Sequence, residues 1–110
     1  DDGLTPVFIA AVNGHTAALD LLVKAGADAN QARKSGATPT FIAAQNAHLE
    51  VLKLLIEKGT DVNQARKDGA TPASIAARTG HTAVLELLVR AGCDVNQVQD
   101  GMGATPTYIA

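Results

Sequence analysis

Apolar and polar positions along this chain recur with a step of 33 residues, and the stretch from Asn30 to Gly59 displays the unit most clearly. Asn30 to Ala37 is polar and carries Gly36, the composition of a turn or an extended finger. Thr38-Pro39 predicts a helix start. The threonine oxygen can accept from an unpaired N–H of the first turn, and proline fits the first helical position because its missing donor is not needed there. The helix that follows, through about Asn46, is short and rich in alanine, so a neighbouring backbone can approach it closely. After a break near Ala47, the segment Leu49 to Lys58 presents Val51, Leu52, Leu54, Leu55 and Ile56 as a wide apolar face interrupted by Glu50, Lys53 and Glu57. Gly59 suits the left-handed residue that closes a helix. The unit is therefore a finger, a short helix, a turn and a second helix.

The same pattern lies on either side. Thr5-Pro6, Thr38-Pro39 and Thr71-Pro72 keep the step, as do His15, His48 and His81, and Gly26, Gly59 and Gly92. The first copy begins late, with Asp1 to Leu4 as the end of a finger, and its second helix is expected from Thr16 to about Ala25. After Asn96 the register slips by one, and Thr105 follows Thr71 by 34 residues. The extra residue is expected in a bulged fingertip around Gly101-Met102-Gly103. A pair of short helices cannot bury its apolar face alone, but stacked copies can, and the period falls in the solenoid range.

At this point the residues resemble a known family. T-P-x-x-I-A-A-x-x-G-H, then L-x-L-L and G-x-D-x-N, resembles the ankyrin repeat, three times in register over essentially the whole chain. The resemblance implies an all-α solenoid of stacked helix-turn-helix repeats with projecting β-hairpin-like fingers. It implies one domain over residues 1–110, with repeats near 1–33, 34–66 and 67–100 and a partial copy over 101–110. It also implies that Asp28, Asp61, Asp94, Asn30, Asn63 and Asn96 brace loops by bonding backbone, and that each histidine bonds backbone near the inter-helix turn. One departure stands out: Phe8, Phe41, Ser74 and Tyr108 occupy the place of the family's signature histidine. Apolar packing between repeats is expected to replace the polar link there, with Ser74 marking a weaker contact. Terminal repeats of a solenoid expose faces that neighbours would otherwise cover. The expectation is a segment of a longer array, with end-to-end self-association as the rival.

Composition narrows the function classes. With 46% hydrophobic and 18% charged residues the chain resembles an ordinary globular domain, and its net charge of −2 argues against a general nucleic-acid binder. No apolar run reaches membrane-spanning length and no secretory signal pattern is visible, so no membrane partner is expected. Cys93 is the single cysteine, which points to an intracellular, cytoplasmic setting. Histidines one repeat apart cannot easily converge on one ion, because packed helices lie about 8–10 Å apart while zinc ligands sit about 2 Å from the metal. No nucleophile–base pair and no glycine-rich phosphate loop can be placed. The expectation is a chain that is not an enzyme and has no cofactor or metal.

What remains is binding of a protein partner. The family resemblance puts partners on the concave side formed by fingertips and first helices. In the second repeat that side offers Ala32, Arg33, Lys34, Ser35, Ala37, Gln45 and Asn46. The third offers Ala65, Arg66, Lys67, Asp68, Ala70, Arg78 and Thr79, and the first offers Asp2, Leu4, Val12 and Asn13. Arg33-Lys34, Arg66-Lys67 and Arg78 place five of nine basic residues there, an uneven field suited to an acidic partner segment. Asp68 lies within the patch, and the fourth finger has Gln99-Asp100 instead. The reading is a non-catalytic interaction scaffold. Its alternatives are a structural spacer in a longer array and fingertips that are merely solvated copies of one another.

Overall fold

Three times within the described residues the chain turns into a helix at a threonine and a proline. Among residues 3–93, which the computed structural model describes, these inner helices are α1 (Pro6–Asn13), α3 (Pro39–Gln45) and α5 (Pro72–Thr79). The hydroxyls of Thr5, Thr38 and Thr71 accept from the backbone N–H groups of Phe8, Phe41 and Ser74 at 3.1, 3.1 and 3.0 Å. Each such cap contributes about 1 kcal/mol.

A tight turn then leads to the outer helices α2 (Thr16–Lys24), α4 (Leu49–Glu57) and α6 (Thr82–Arg90). These end at left-handed glycines, Gly26, Gly59 and Gly92, with φ of 101°, 81° and 88°. The next N–H in each case bonds back into the helix: Ala27 to Leu22, Thr60 to Leu55 and Cys93 to Leu88, at 3.0, 3.2 and 3.0 Å. That 6→1 closure satisfies a carbonyl which the helix leaves unpaired. The described residues contain six helices and no strand. The fingers are hairpin-like all the same: Arg33 and Arg66 donate to Ala37 and Ala70 at 2.9 and 2.7 Å across their turns.

Inner helices stack on inner helices and outer on outer, giving two rows with the core between them. The alanines make the inner row possible. Ala10, Ala11, Ala43, Ala44 and Ala76 are all buried, so adjacent backbones approach without large side chains between them. Leu19, Leu52, Leu55 and Leu88 fill the space between the rows, and burying each stabilises by about 2 kcal/mol. Phe8 and Phe41 are 2% and 1% exposed, so the aromatic that replaces the signature histidine packs between repeats. Tyr108, Asp94, Asn96 and the expected bulge near Gly101 lie outside the described residues.

Equivalent positions differ in burial along the stack. Ile9 is 46% exposed, whereas its counterpart Ile75 is 4% exposed. Of the exposed large hydrophobics, Ile9, Leu21 and Val89 belong to the first or third helix pair, and Leu4 lies just before α1.

Polar seams join the pairs. His48 Nε2 donates to the Val12 carbonyl at 2.9 Å, and Asn46 Nδ2 donates to the same oxygen at 3.3 Å. Asp28 and Asp61 accept from the N–H groups of Asn30 and Asn63, and Asn30 in turn accepts from Asp61 N–H in the next loop at 3.2 Å. For Asp28, Asp61, Asn30 and His48 these are the roles that the family resemblance implied, whereas among the described residues the His15 and His81 side chains make no such bond. Lys58 lies 3.7 Å from Asp20, linking α4 to α2. Hydrogen bonding and charge from Lys24, with Lys58 adding to them, lower the Asp20 carboxyl below its ordinary range.

Ser74 has a role that the sequence reading did not assign. At the start of α5 its Oγ accepts from Thr71 N–H at 2.8 Å and donates to the Thr71 carbonyl at 3.0 Å, whereas the contact with the following repeat lies outside the described residues. A small polar side chain buried there closes a reciprocal cap that a phenyl ring cannot make.

Candidate functional site

The fingers are rigidly set against one another. Lys67 N–H donates to the Ser35 carbonyl at 2.8 Å, tying the third finger to the second. Gly36 sits at that contact with φ of 89°, and a Cβ there would stand 2.8 Å from Lys67 N. Only glycine fits, because both the conformation and the space exclude a side chain. The tips are thus held in register by backbone, and their side chains project from a fixed frame.

Those side chains divide into two kinds. The Arg33 guanidinium lies 5.3 Å from the centre of the Phe8 ring, and that of Arg66 lies 4.9 Å from the centre of Phe41. Each arginine therefore covers the aromatic of the preceding repeat, a cation–π contact within the usual limit of about 6 Å. Both are partly buried. Lys34 and Lys67, the next residues, are exposed.

Asp68 adds a further constraint on the third finger. It accepts from Arg66 Nε at 3.1 Å and from Nη2 at 2.6 Å, a bidentate pair, and its Oδ1 also accepts from Ala70 N–H at 3.1 Å. The hydrogen bonds from Arg66, then Ala70, hold its carboxyl down to about 2. The same pairing raises Arg66. Ser35 occupies the corresponding place in the second finger, where its Oγ accepts from Ala37 N–H at 3.3 Å.

The rest of the predicted surface is mixed. Asn46, Arg78 and Thr79 are exposed, and Gln45 is half-buried. Asn46 is engaged with Val12, and Thr79 Oγ1 donates to the Ile75 carbonyl of its own helix at 2.7 Å. Ala37 and Ala70 are buried, so these two finger positions are unavailable to a partner. The side chains pack beneath the fingers, which the sequence pattern alone did not distinguish from Ala32 and Ala65. Asp2 lies outside the described residues.

Stacking of arginine on phenylalanine was missed in the sequence, although a signal existed. Phe8 to Arg33 and Phe41 to Arg66 are both separated by 25 residues, and where Ser74 replaces the ring, Gln99 stands at the same separation.

Among the described residues, no group of three His, Cys, Asp or Glu side chains is placed to hold a metal ion. No helix of the described residues is long and apolar enough to cross a membrane.

A family model described as ankyrin repeats, in three copies, matches residues 1–66, and one described as ankyrin repeat matches residues 68–100. No curated protein matches the chain.

Proposed function

The chain belongs to the ankyrin-repeat family, whose members generally mediate protein–protein interaction, and on that premise we propose that it is a non-catalytic scaffold for a protein partner. The partner lies on the concave face of fingers and first helices and offers it an acidic segment. The observation that carries this reading is the exposure of Lys34, Lys67 and Arg78 beside fingers fixed in register. Such a field raises the encounter rate with an acidic chain and disfavours basic ones. Nucleic acid is the less suitable ligand, because the net charge of −2 supplies no general attraction to a phosphate backbone. A cytoplasmic setting completes the proposal, supported by the single cysteine.

Affinity capture from a cell lysate with mass spectrometry tests the scaffold. The native chain is compared with a variant in which Lys34, Lys67 and Arg78 become glutamate. A protein held by the native chain and lost by the variant supports both scaffold and face. The same protein held by both moves the site elsewhere. If nothing is captured above background, the structural-spacer alternative takes the lead.

A further inference from the structure

The fingertips carry two pairs of adjacent cations, Arg33-Lys34 and Arg66-Lys67, and the packing gives the two members of a pair different work. The arginines face inward over the rings of Phe8 and Phe41, and Arg66 is further held by Asp68 along one edge of its guanidinium, through Nε and Nη2. The lysines stand exposed on the outer side of a backbone frame that Gly36 and the Lys67-to-Ser35 hydrogen bond fix.

We infer that Lys34 and Lys67 form a two-point contact for a pair of carboxylates about 10 Å apart on an acidic segment of the partner. This rests on the scaffold reading above and narrows it. The separation follows from the stack, because equivalent atoms of successive repeats are offset by one helix-packing distance, about 8–10 Å. A polyproline II segment has about three residues per turn and advances about 3.1 Å per residue, so two acids three residues apart stand on one side of it, about 9 Å from each other. Lysine suits this task. Its ammonium is a compact point charge on a flexible stem and takes a carboxylate from many directions, without the planar fork that an arginine must present.

Asp68 ranks the two contacts. Its charge sits one residue from Lys67 and is compensated by Arg66, whereas the corresponding residue beside Lys34 is the neutral Ser35. Lys34 is therefore the stronger point, and the partner's more acidic end lies over the second finger.

The test uses the full chain and a labelled Gly/Ser peptide bearing two glutamates three positions apart, followed by fluorescence anisotropy at low salt. A control peptide carries the two glutamates side by side. K34Q with K67Q is expected to weaken binding about fivefold, with K34Q alone having the larger effect and the thermal midpoint unchanged. K34R with K67R should restore it. R33K and R66K keep the charge but lose the stacking geometry, so they should lower the thermal midpoint and leave affinity within about twofold.

Equal binding of the two peptides overturns the spacing. Greater loss from the arginine variants than from the lysine variants overturns the division of labour. Tighter binding of a single-stranded oligonucleotide, lost with the same lysines, overturns the peptide assignment. If the spaced peptide does not bind while lysate capture still retains a protein, this inference falls and the scaffold stands. If both fail, both fall.

Discussion

At the junction of the first and second helix pairs, His48 and Asn46 converge on the Val12 carbonyl at 2.9 and 3.3 Å. At the next junction their counterparts are His81 and Thr79. Thr79 bonds within its own helix, and among the described residues no bond runs from His81 to the Gln45 carbonyl. The Lys58–Asp20 ion pair is likewise confined to the first junction, because Ala91 and Lys53 hold the corresponding positions. The apolar stack, by contrast, is nearly the same at both, down to an arginine over each phenyl ring.

One turn residue accounts for part of this difference. Gly14 closes the first turn with φ of 71°, and a Cβ added there would lie 2.9 Å from His48 Nδ1. The second turn has Ala47 at that place, with φ of 57°, and by analogy with Gly14 its methyl would crowd a histidine placed as His48 is. The two junctions agree more closely in their apolar packing, where a change of volume is felt by every neighbour, than at the polar edge, where a single methyl can divert a side chain.

The largest test removes what both junctions share. Phe41→Ala should destabilise the chain by about 4 kcal/mol, since Phe41 is fully buried and supports Arg66 as well. Urea unfolding would measure it, and a loss below about 1 kcal/mol would contradict the idea that the ring packs the stack.

The next test separates the junctions. His48→Ala should destabilise by about 1 kcal/mol, through loss of the bond to Val12, while His81→Ala should change stability by less than about 0.5 kcal/mol. Equal effects in thermal unfolding would erase the comparison.

A third experiment repairs the second junction. Ala47→Gly relieves a left-handed alanine and should stabilise by about 0.5 kcal/mol, after allowance for the greater freedom of glycine in the unfolded chain. In that background His81→Ala should become more damaging than in the native chain. A double-mutant cycle with no coupling would show that the methyl is not what keeps His81 away.

The smallest effect belongs to the third finger. Asp68→Asn should cost about 0.5 kcal/mol at neutral pH, discounted because the pair is partly exposed. The Asp68 carboxyl is held down to about 2 from an ordinary value of 3.8, so its contribution is complete above that ordinary value. It is lost as pH falls toward about 2. Acid titrations of the two proteins should therefore converge in that window and run parallel above it.

Much of this molecule was legible before its structure. Thr38-Pro39 marked a helix start and Gly59 a helix end because capping chemistry acts within a few residues. The burial of Phe41 followed from its place in a repeating unit that must stack. Other features stayed hidden. Ser74 read as a gap in the aromatic series but closes a capping box, since its hydroxyl finds Thr71 only in the folded first turn. Ala37 and Ala70 read as finger surface, yet the packing beneath the fingers covers them. Of the candidate binding residues, the four basic fingertip positions looked equivalent in the sequence.

The sequence by itself determined the elements, their order and the repeat that forces them to stack. Caps, prolines and glycines act locally, and a 33-residue recurrence leaves one way to bury so many half-apolar helices. Only the tertiary structure decided which cations stand in solvent and which face a ring. That choice depends on the preceding repeat, whose phenyl ring draws in the guanidinium and leaves the neighbouring ammonium in water.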